Sequence, residues 1–581
     1  MCLPRLIISH AVTTIKAKAS QNRSVILPSR PVPVSVPRAP LVAAPSLPFW
    51  ARIETLWLWF VPVCALIYAL LQPLSPNDLW YHVRAGELLV RSGHIPTTNA
   101  MAAGVPMQAP FYYQSWLAEG ALYTTLARFG LSGLQWLRAG CLCITFCLLL
   151  GAGLGWTKRE NLSFGASARA LTAGVLWAFL LASNNVDLRP QTFSVVLCAG
   201  WIALLLKFWG APTVQAGAGL CVIAALWANT HGAFVLAPAS LLALGAGQLL
   251  IGRARSLWLW TAGSGVVGAT LLNPHGWKIY LYLAQLSNNV TGQKYIEEWR
   301  SPGLDEWHSV LFWASPLLLA LLWRAAKAPK EWLPWLAPLG LTWVMGARDQ
   351  RAMIWFALFG APLIGVLLAR LWPVPAAQSQ SVPRGAQILN GVLLAFFVMA
   401  PMAFSPGVKM QWPWPAAFVR RFAPTPQSVF PGEPPLLLER TTSSNAVSWW
   451  RSHPPRKDEK VWTDMVCGSF LTWATRPQAG AGQSVVPLCD PRIELFPDAF
   501  WEDYVRLSSG PRGAGAELQR RGFTQALLDE DTQAGLVREL KRENWRLVPR
   551  ASNGSTVLMV PSQTSNASQT SNASRPEGRR R

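Results

Sequence analysis

Charge is scarce in this sequence. Only 14% of the 581 residues are Asp, Glu, Lys or Arg, and the acids number just 29. Soluble domains carry about 25% charged residues, so an ordinary soluble globular chain is excluded. Phosphate-binding loops are missing as well: there is no G-x-x-x-x-G-K-[ST], and no G-x-G-x-x-G after a strand. ATP-driven pumping and nucleotide-sugar binding on a Rossmann half are therefore without support. Metal signatures are wanting too, since no H-E-x-x-H, C-x-x-C or paired Cys/His motif occurs. Nor does an apolar run sit within about the first 30 residues, where a secretory signal peptide would lie; the first one begins near residue 56.

Apolar residues are abundant instead. They make up 51% of the chain and include 31 Trp. Windows close to the roughly 20 residues that span a bilayer recur from Leu56 to Phe404. The fold class is a polytopic α-helical membrane protein with about eleven transmembrane helices. The spans are expected near 55–74, 133–154, 168–186, 192–209, 215–230, 233–251, 257–273, 308–323, 331–346, 352–371 and 387–405.

The net charge of +22 is read as membrane topology rather than as a nucleic-acid surface. Residues 1–52 hold seven Lys/Arg and no acid, which suits a disordered basic extension on the cytoplasmic side. With that end inside, the inner loops TKRENLSFGASAR, KFWGAPTVQ, GRARS, WRAAKAPK and RLWPVPAAQSQSVPRG all carry Lys or Arg, as the positive-inside rule requires. The outer connections 75–132, NNVDLRPQ, NTHG, 273–307 and GARDQR then hold nearly all the Asp, Glu and His of the transmembrane domain, 53–405. Nucleic-acid binding is not expected, because no aromatic-basic platform for single strands is present. Counting 115–130 (SWLAEGALYTTLARFG) as a twelfth span would invert the C-terminal part. An amphipathic helix in the interface is preferred there, since Glu119 and Arg128 would otherwise sit in hydrocarbon.

Of the nine Cys, Cys64, Cys141, Cys143, Cys147, Cys198 and Cys221 lie in apolar spans and read as small buried residues. Cys143 and Cys147 share a helical face, yet a metal role is the less ordinary reading. Cys467 and Cys489 are the pair of the hydrophilic C-terminal part, and a disulfide between them is left open.

The first outer loop, 75–132, opens with PNDLWYHVRAGELLVRSGHIP. Asn77 reads as a helix N-cap with Asp78 in the first turn, where a negative charge suits the dipole. Gly93 reads as the C-cap and Ile95-Pro96 as the stop. His82 follows Asp78 by one helical turn, on the same face. Spacing alone also allows plainer roles: a helix-start acid for Asp78 and an interfacial histidine for His82. Asp187 and Arg189 in NNVDLRPQ, His231 in NTHG, and Arg348 and Arg351 in GARDQR are the other ionisable candidates. Ion-pair capping of a helix would equally account for DLRP, and an exposed pair for GARDQR.

DLWYHVRAGELLVRSGHIPTTNA followed by WLAEGALYTTLARFG resembles the first extracytoplasmic loop of bacterial membrane glycosyltransferases of the GT-C fold, in the RgtA/B/C/D-like and dolichyl-phosphate-mannosyltransferase-like branch. That family usually has D-L-W-W-H, a G-x-I-P turn and E-W-L-x-E. Here Tyr81 replaces the second Trp, and Gln114-Ser115 precede Trp116, so the first acid of the last motif is missing while Glu119 is kept. ALWANTHG, LLNPHGW, EEWRSP, VWTDMVCGSFLTW and LCDPRIELFP extend the resemblance over most of 54–560.

The resemblance implies a multi-pass protein of a bacterial inner (plasma) membrane. Such an enzyme moves a sugar from a polyprenyl-phosphate donor to a lipid, glycan or protein acceptor of the envelope, on the extracytoplasmic face. It implies Asp78 as the general base, with His82 beside it. Arg189, and beside it Arg348 and Arg351, suit the donor phosphate. Asp187, His231 and Glu119 complete the substrate-binding set. No cofactor is demanded; a divalent cation on Asp78 and Asp187 is an open option. Trp80, Tyr81, Tyr112, Tyr113, Trp116 and Trp299 are candidate sugar-stacking faces as well as interfacial aromatics.

After a Pro-rich linker, 406–457, short strand and helix patterns over 458–561 predict a small extracytoplasmic α/β domain. Residues 562–581 repeat SQTSNA and end in RRR, a disordered tail. Two rivals stand beside the enzyme: a transporter or flippase of lipid-linked substrates, which places charges near the midplane of its spans, and a non-catalytic membrane scaffold of the same fold.

Overall fold

The computed structural model describes residues 48–252, 256–372, 384–409, 411–413, 437–439, 441–454, 460–476 and 485–562. The extension up to residue 47, most of the linker and the tail beyond 562 lie outside the described residues. The chain is a polytopic helical membrane protein. Helices α1 (Ile53–Leu71), α2 (Leu79–Ser92), α3 (Trp116–Arg159), α4 (Phe164–Ala182), α5 (Pro190–Gly210), α6 (Val214–Ala228), α7 (Leu236–Leu250) and α8 (Ser256–Thr270) come first. They are followed by α9 (Lys278–Ser287), α10 (Val290–Tyr295), α11 (Trp307–Ala325), α12 (Leu336–Arg348), α13 (Met353–Leu371), α14 (Arg384–Ala403) and the short α15 (Pro406–Lys409). Among the described residues eight helices are long and apolar enough to cross a membrane. Of the other expected spans, α6 and α8 have 15 residues. The 331–346 span is split, with α12 reduced to 13 residues behind a 3-10 turn, Lys330–Trp335, that holds Pro334.

α3 is not one rod. Gly130 has φ 61° and ψ −162°, which separates a first helix, running to Phe129, from the long span that follows. A left-handed φ of this kind is open to glycine at little cost. The stretch 115–130 thus folds as a helix of its own, ahead of the span.

α13 is buried along almost its whole length and packs on α4 at close range. A β-carbon on Gly174 would lie 2.6 Å from the Ala361 carbonyl oxygen. Small residues let helix backbones approach where no hydrophobic effect separates helix from lipid. Trp177 fills the flank, its ring 5.6 Å from that of Phe356.

The C-terminal α/β unit has four strands in the order β1-β2-β4-β3, with β1 Lys460–Thr463, β2 Phe523–Asp529, β3 Trp545–Leu547 and β4 Thr556–Pro561. β1 and β2 run parallel, and the other neighbours run antiparallel. Helices Met465–Ala474, Asp498–Ser508, Ala514–Arg520 and Ala534–Arg542 surround the sheet. Residues 485–487 of SVVPLCD form no regular strand. Within the stretch 406–457, the helix Ser444–Ser452 packs with this unit, its Trp450 indole donating to Gln525 Oε1 at 2.7 Å. Cys467 and Cys489 are buried free thiols.

This unit clamps the first loop. Leu74 N–H donates to Leu437 O at 2.7 Å, and Glu439 N–H donates to Leu74 O at 3.0 Å. The helix Met465–Ala474, N-capped by Asp464, lies on the start of α2. Its Ser469 hydroxyl donates to the Asn77 carbonyl and accepts from Tyr81 N–H at 3.3 Å. Arg476 reaches Glu87 at 2.9 Å. Arg492, fully buried with Asp490 at 2.7 Å, also donates to Asn99 and to the Tyr113 hydroxyl.

Candidate functional site at one end of the bundle

The alternate connections of the bundle meet at this clamped end. Gln350 N–H donates to Arg300 O at 2.9 Å, and Leu117 N–H to Asn229 O at 3.2 Å. The Trp116 indole donates to Asn229 Oδ1 at 2.9 Å, and Asn229 Nδ2 to Leu272 O at 2.8 Å. At the opposite end Glu160 faces Arg370 at 3.7 Å and accepts from Trp332 at 3.1 Å.

Asp78 occupies the residue before α2 in αR conformation and makes no capping bond. Asn77 does not cap either; its N–H donates to Ser75 Oγ at 3.3 Å. The helix thus starts one residue later than expected, and the carboxylate of Asp78 turns toward two guanidiniums. Its Oδ2 lies 3.6 Å from Arg189 Nη1 and 3.4 Å from Arg351 Nη2. Gly93 ends α2 as expected, with φ 72° and its N–H on Leu89 O.

Arg189 stands at the N-cap of α5, ahead of Pro190, and is 6% exposed. Its main partner is Glu298, 3.0 Å away in the connection before α11. Glu298 also lies 3.7 Å from Arg351 Nε, which donates to Gln191 Oε1 at 3.2 Å. Two acids and two arginines from four separate elements thus form one cluster. Burial is the largest influence on both Arg189 and Glu298 and works against their charges, but the opposite charges together outweigh it: Glu298, Asp78 and Asp187 hold Arg189 above its ordinary value, and Arg189 with Arg351 holds Glu298 below. Next to them, burial pushes Asp349 up to about 6 against the pull of Arg351. Asp349 Oδ1 accepts the Arg351 N–H at 2.9 Å.

Of the expected residues, His82 and Glu119 pair with each other, Nδ1 to Oε1 at 2.9 Å, both buried between α2 and the first part of α3. This contact needs the helices close together: a β-carbon on Gly86 would lie 2.0 Å from the Glu119 carbonyl oxygen. His231 accepts the Ala233 N–H at 3.2 Å. Burial first, then Arg351, Arg189 and His82, hold it well below the usual histidine value, so its imidazole is neutral at physiological pH.

Arg348 and Asp187 pair neither with the cluster nor with each other. Arg348 is exposed and donates to Ser287 O at 2.9 Å. Among the described residues no Arg, Lys or His lies within ion-pair distance of Asp187; its charge adds to those that raise Arg189 and, with burial, pushes Glu439 up. Among the described residues no three His, Cys, Asp or Glu are grouped as metal ligands. Glu298, Gln191 and Asp349 were not among the expected site residues. Only the run EEWRSP drew attention to Glu298 in the sequence, and which of its two acids turns inward is a tertiary outcome. Arg138, inside the α3 span and fully buried, donates to Ala69 O, Gln72 O and Pro73 O, pinning the exit of α1 that leads to Asp78.

No protein-family profile matches this sequence, and no curated protein matches it. Among solved structures it is similar to ArnT from Cupriavidus metallidurans bound to undecaprenyl phosphate, with 15% identity over 87% of this chain and 98% of that one, at a TM-score of 0.45. The apo state of the same protein gives 14% identity over 86% and 96%, at 0.46. The Archaeoglobus fulgidus oligosaccharyltransferase gives 12% identity over 88% and 75%, at 0.39.

Proposed function

We propose that the protein is a membrane glycosyltransferase that moves a sugar from a polyprenyl-phosphate donor to an envelope acceptor at the extracytoplasmic face. The observation that carries this reading is the Asp78–Arg189–Glu298–Arg351 cluster, gathered at the end of the bundle that the α/β unit covers. In this reading Asp78 accepts the proton of the acceptor hydroxyl as that oxygen attacks the anomeric carbon. The bond from the anomeric carbon to the phosphate oxygen breaks, the phosphate leaves with the electron pair, and the sugar centre inverts. Arg189 and Arg351 shift from the carboxylates to the leaving phosphate, which a guanidinium fork matches. The pair His82–Glu119 holds α2 in place against α3. A flippase would carry its charges near the midplane of the spans, whereas this cluster sits in connections between them.

The test is transfer from a radiolabelled polyprenyl-phosphate hexose to membrane lipids by the purified protein in liposomes. Asp78→Asn is expected to lose about 10²–10⁴-fold in rate, with unchanged membrane levels. Arg189→Ala is expected to lose transfer as well. Wild-type activity retained in Asp78→Asn would sink the proposal.

A further inference from the structure

Away from the arginines, the α/β unit sends a second carboxylate into the same end of the bundle. Glu494, in the short 3-10 turn Ile493–Leu495, accepts from the Tyr282 hydroxyl of α9 at 2.7 Å. The nearest guanidinium, Arg492, is spent on Asp490, with contacts of 2.9 and 2.7 Å to its two oxygens. Among the described residues no cation pairs with Glu494. Around it stand aromatic rings: Tyr112 lies 5.2 Å from Tyr282 and 4.9 Å from His275, and Tyr112 keeps 38% of its surface exposed. On α2, Tyr81 lies against His82, ring to ring at 3.9 Å. The Tyr81 hydroxyl is raised by burial, then by the charges of Asp78, Glu494 and Glu119.

We infer that Glu494, with Tyr282 and Tyr112, forms a subsite for the ring hydroxyls of a sugar, contributed by the C-terminal unit at the same end of the bundle as Asp78. A carboxylate without a cationic partner is a strong acceptor for hydroxyl donors. Tyrosine faces beside it suit the C–H face of a pyranose, an apolar body with a polar edge. The inference rests on the glycosyl-transfer reading and adds which part of the molecule selects the sugar. A clamp that only docks the unit onto α9 would make the same Tyr282 contact, so the experiment separates the two roles.

The full-length protein in liposomes is given farnesyl-phosphate hexoses labelled in the sugar, and hexose released by transfer to membrane lipid or to water is measured. Glu494→Gln keeps an acceptor for the Tyr282 hydroxyl and removes the charge; its KM for the labelled donor is expected to rise about tenfold or more, with kcat less affected. Tyr282→Phe breaks the docking contact but keeps the carboxylate, and is expected to shift KM less than Glu494→Gln. If the effect falls on the Km for membrane-lipid acceptor instead, with donor release to water unchanged, the sugar held is the acceptor's. Unaltered KM values in Glu494→Gln, with transfer by the wild type intact, overturn the subsite and leave the transferase reading standing. Absence of transfer by the wild type, with Asp78→Asn behaving identically, overturns both.

Discussion

Replacing Asp349 by Asn tests the electrostatic account of the site directly. Asp349 sits between α12 and α13, accepts the Arg351 N–H at 2.9 Å, and is pushed up to about 6 by burial. An unfolded Asp titrates near 3.9. Between those values the folded chain holds a proton that the unfolded chain has released, so stability falls as pH rises through the window. The unfavourable contribution is absent below the unfolded value and fully present above about 6. Two pH units of difference correspond to roughly 3 kcal/mol as an upper bound. Asn is the permanent neutral mimic, and its Oδ1 still accepts the Arg351 N–H. Asp349→Asn should therefore match the wild type near pH 3 and be more stable at pH 7.5, by up to about 3 kcal/mol. The assay is the apparent unfolding temperature of both proteins in the same detergent across that range. Comparing variant with wild type cancels Glu439, Asp464 and Glu494, which burial also raises. Parallel pH curves for the two proteins, or a variant that is weaker at pH 7.5, would refute the reasoning.

Two further outcomes follow from buried charges. Arg138→Met removes the donors to the carbonyls of Ala69, Gln72 and Pro73; the stranded acceptors should cost about 3–5 kcal/mol, seen as a lower unfolding temperature together with lost activity. Glu87, 1% exposed, receives Arg84, Arg91 and Arg476. Glu87→Ala should release the α/β unit from α2, read as faster hydrogen exchange in both segments; unchanged exchange in the helix Met465–Ala474 would contradict the clamp.

Local patterns in the sequence mark the helices, because a bilayer imposes a length and an apolarity on each span that neighbours cannot waive. The Gly93 cap and the alternating helix and strand runs after residue 458 are legible for the same reason: each depends on a few adjacent residues. Helix length was less legible, as Pro334 cuts one expected span short. The candidate site was half readable. Asp78, Arg189 and Arg351 stand out as rare charges in connections, yet their partners do not. Glu298 lies 109 residues from Arg189 in the chain, and no local rule distinguishes it from Glu297.

What composition and apolar periodicity determined, then, is that this chain lives in a membrane and gathers its few acids in the connections between spans. Only the packing of α2, α3, α5 and α13 with the α/β unit decided which charges meet. Asp78 turns to two arginines, Arg348 turns away while Arg351 turns in, and Asp187 makes no ion pair with Arg189. The physical reason is that a buried charge is tolerable only beside an opposite one or a set of hydrogen-bond partners, and the identity of those neighbours is a property of the assembled helices rather than of any segment.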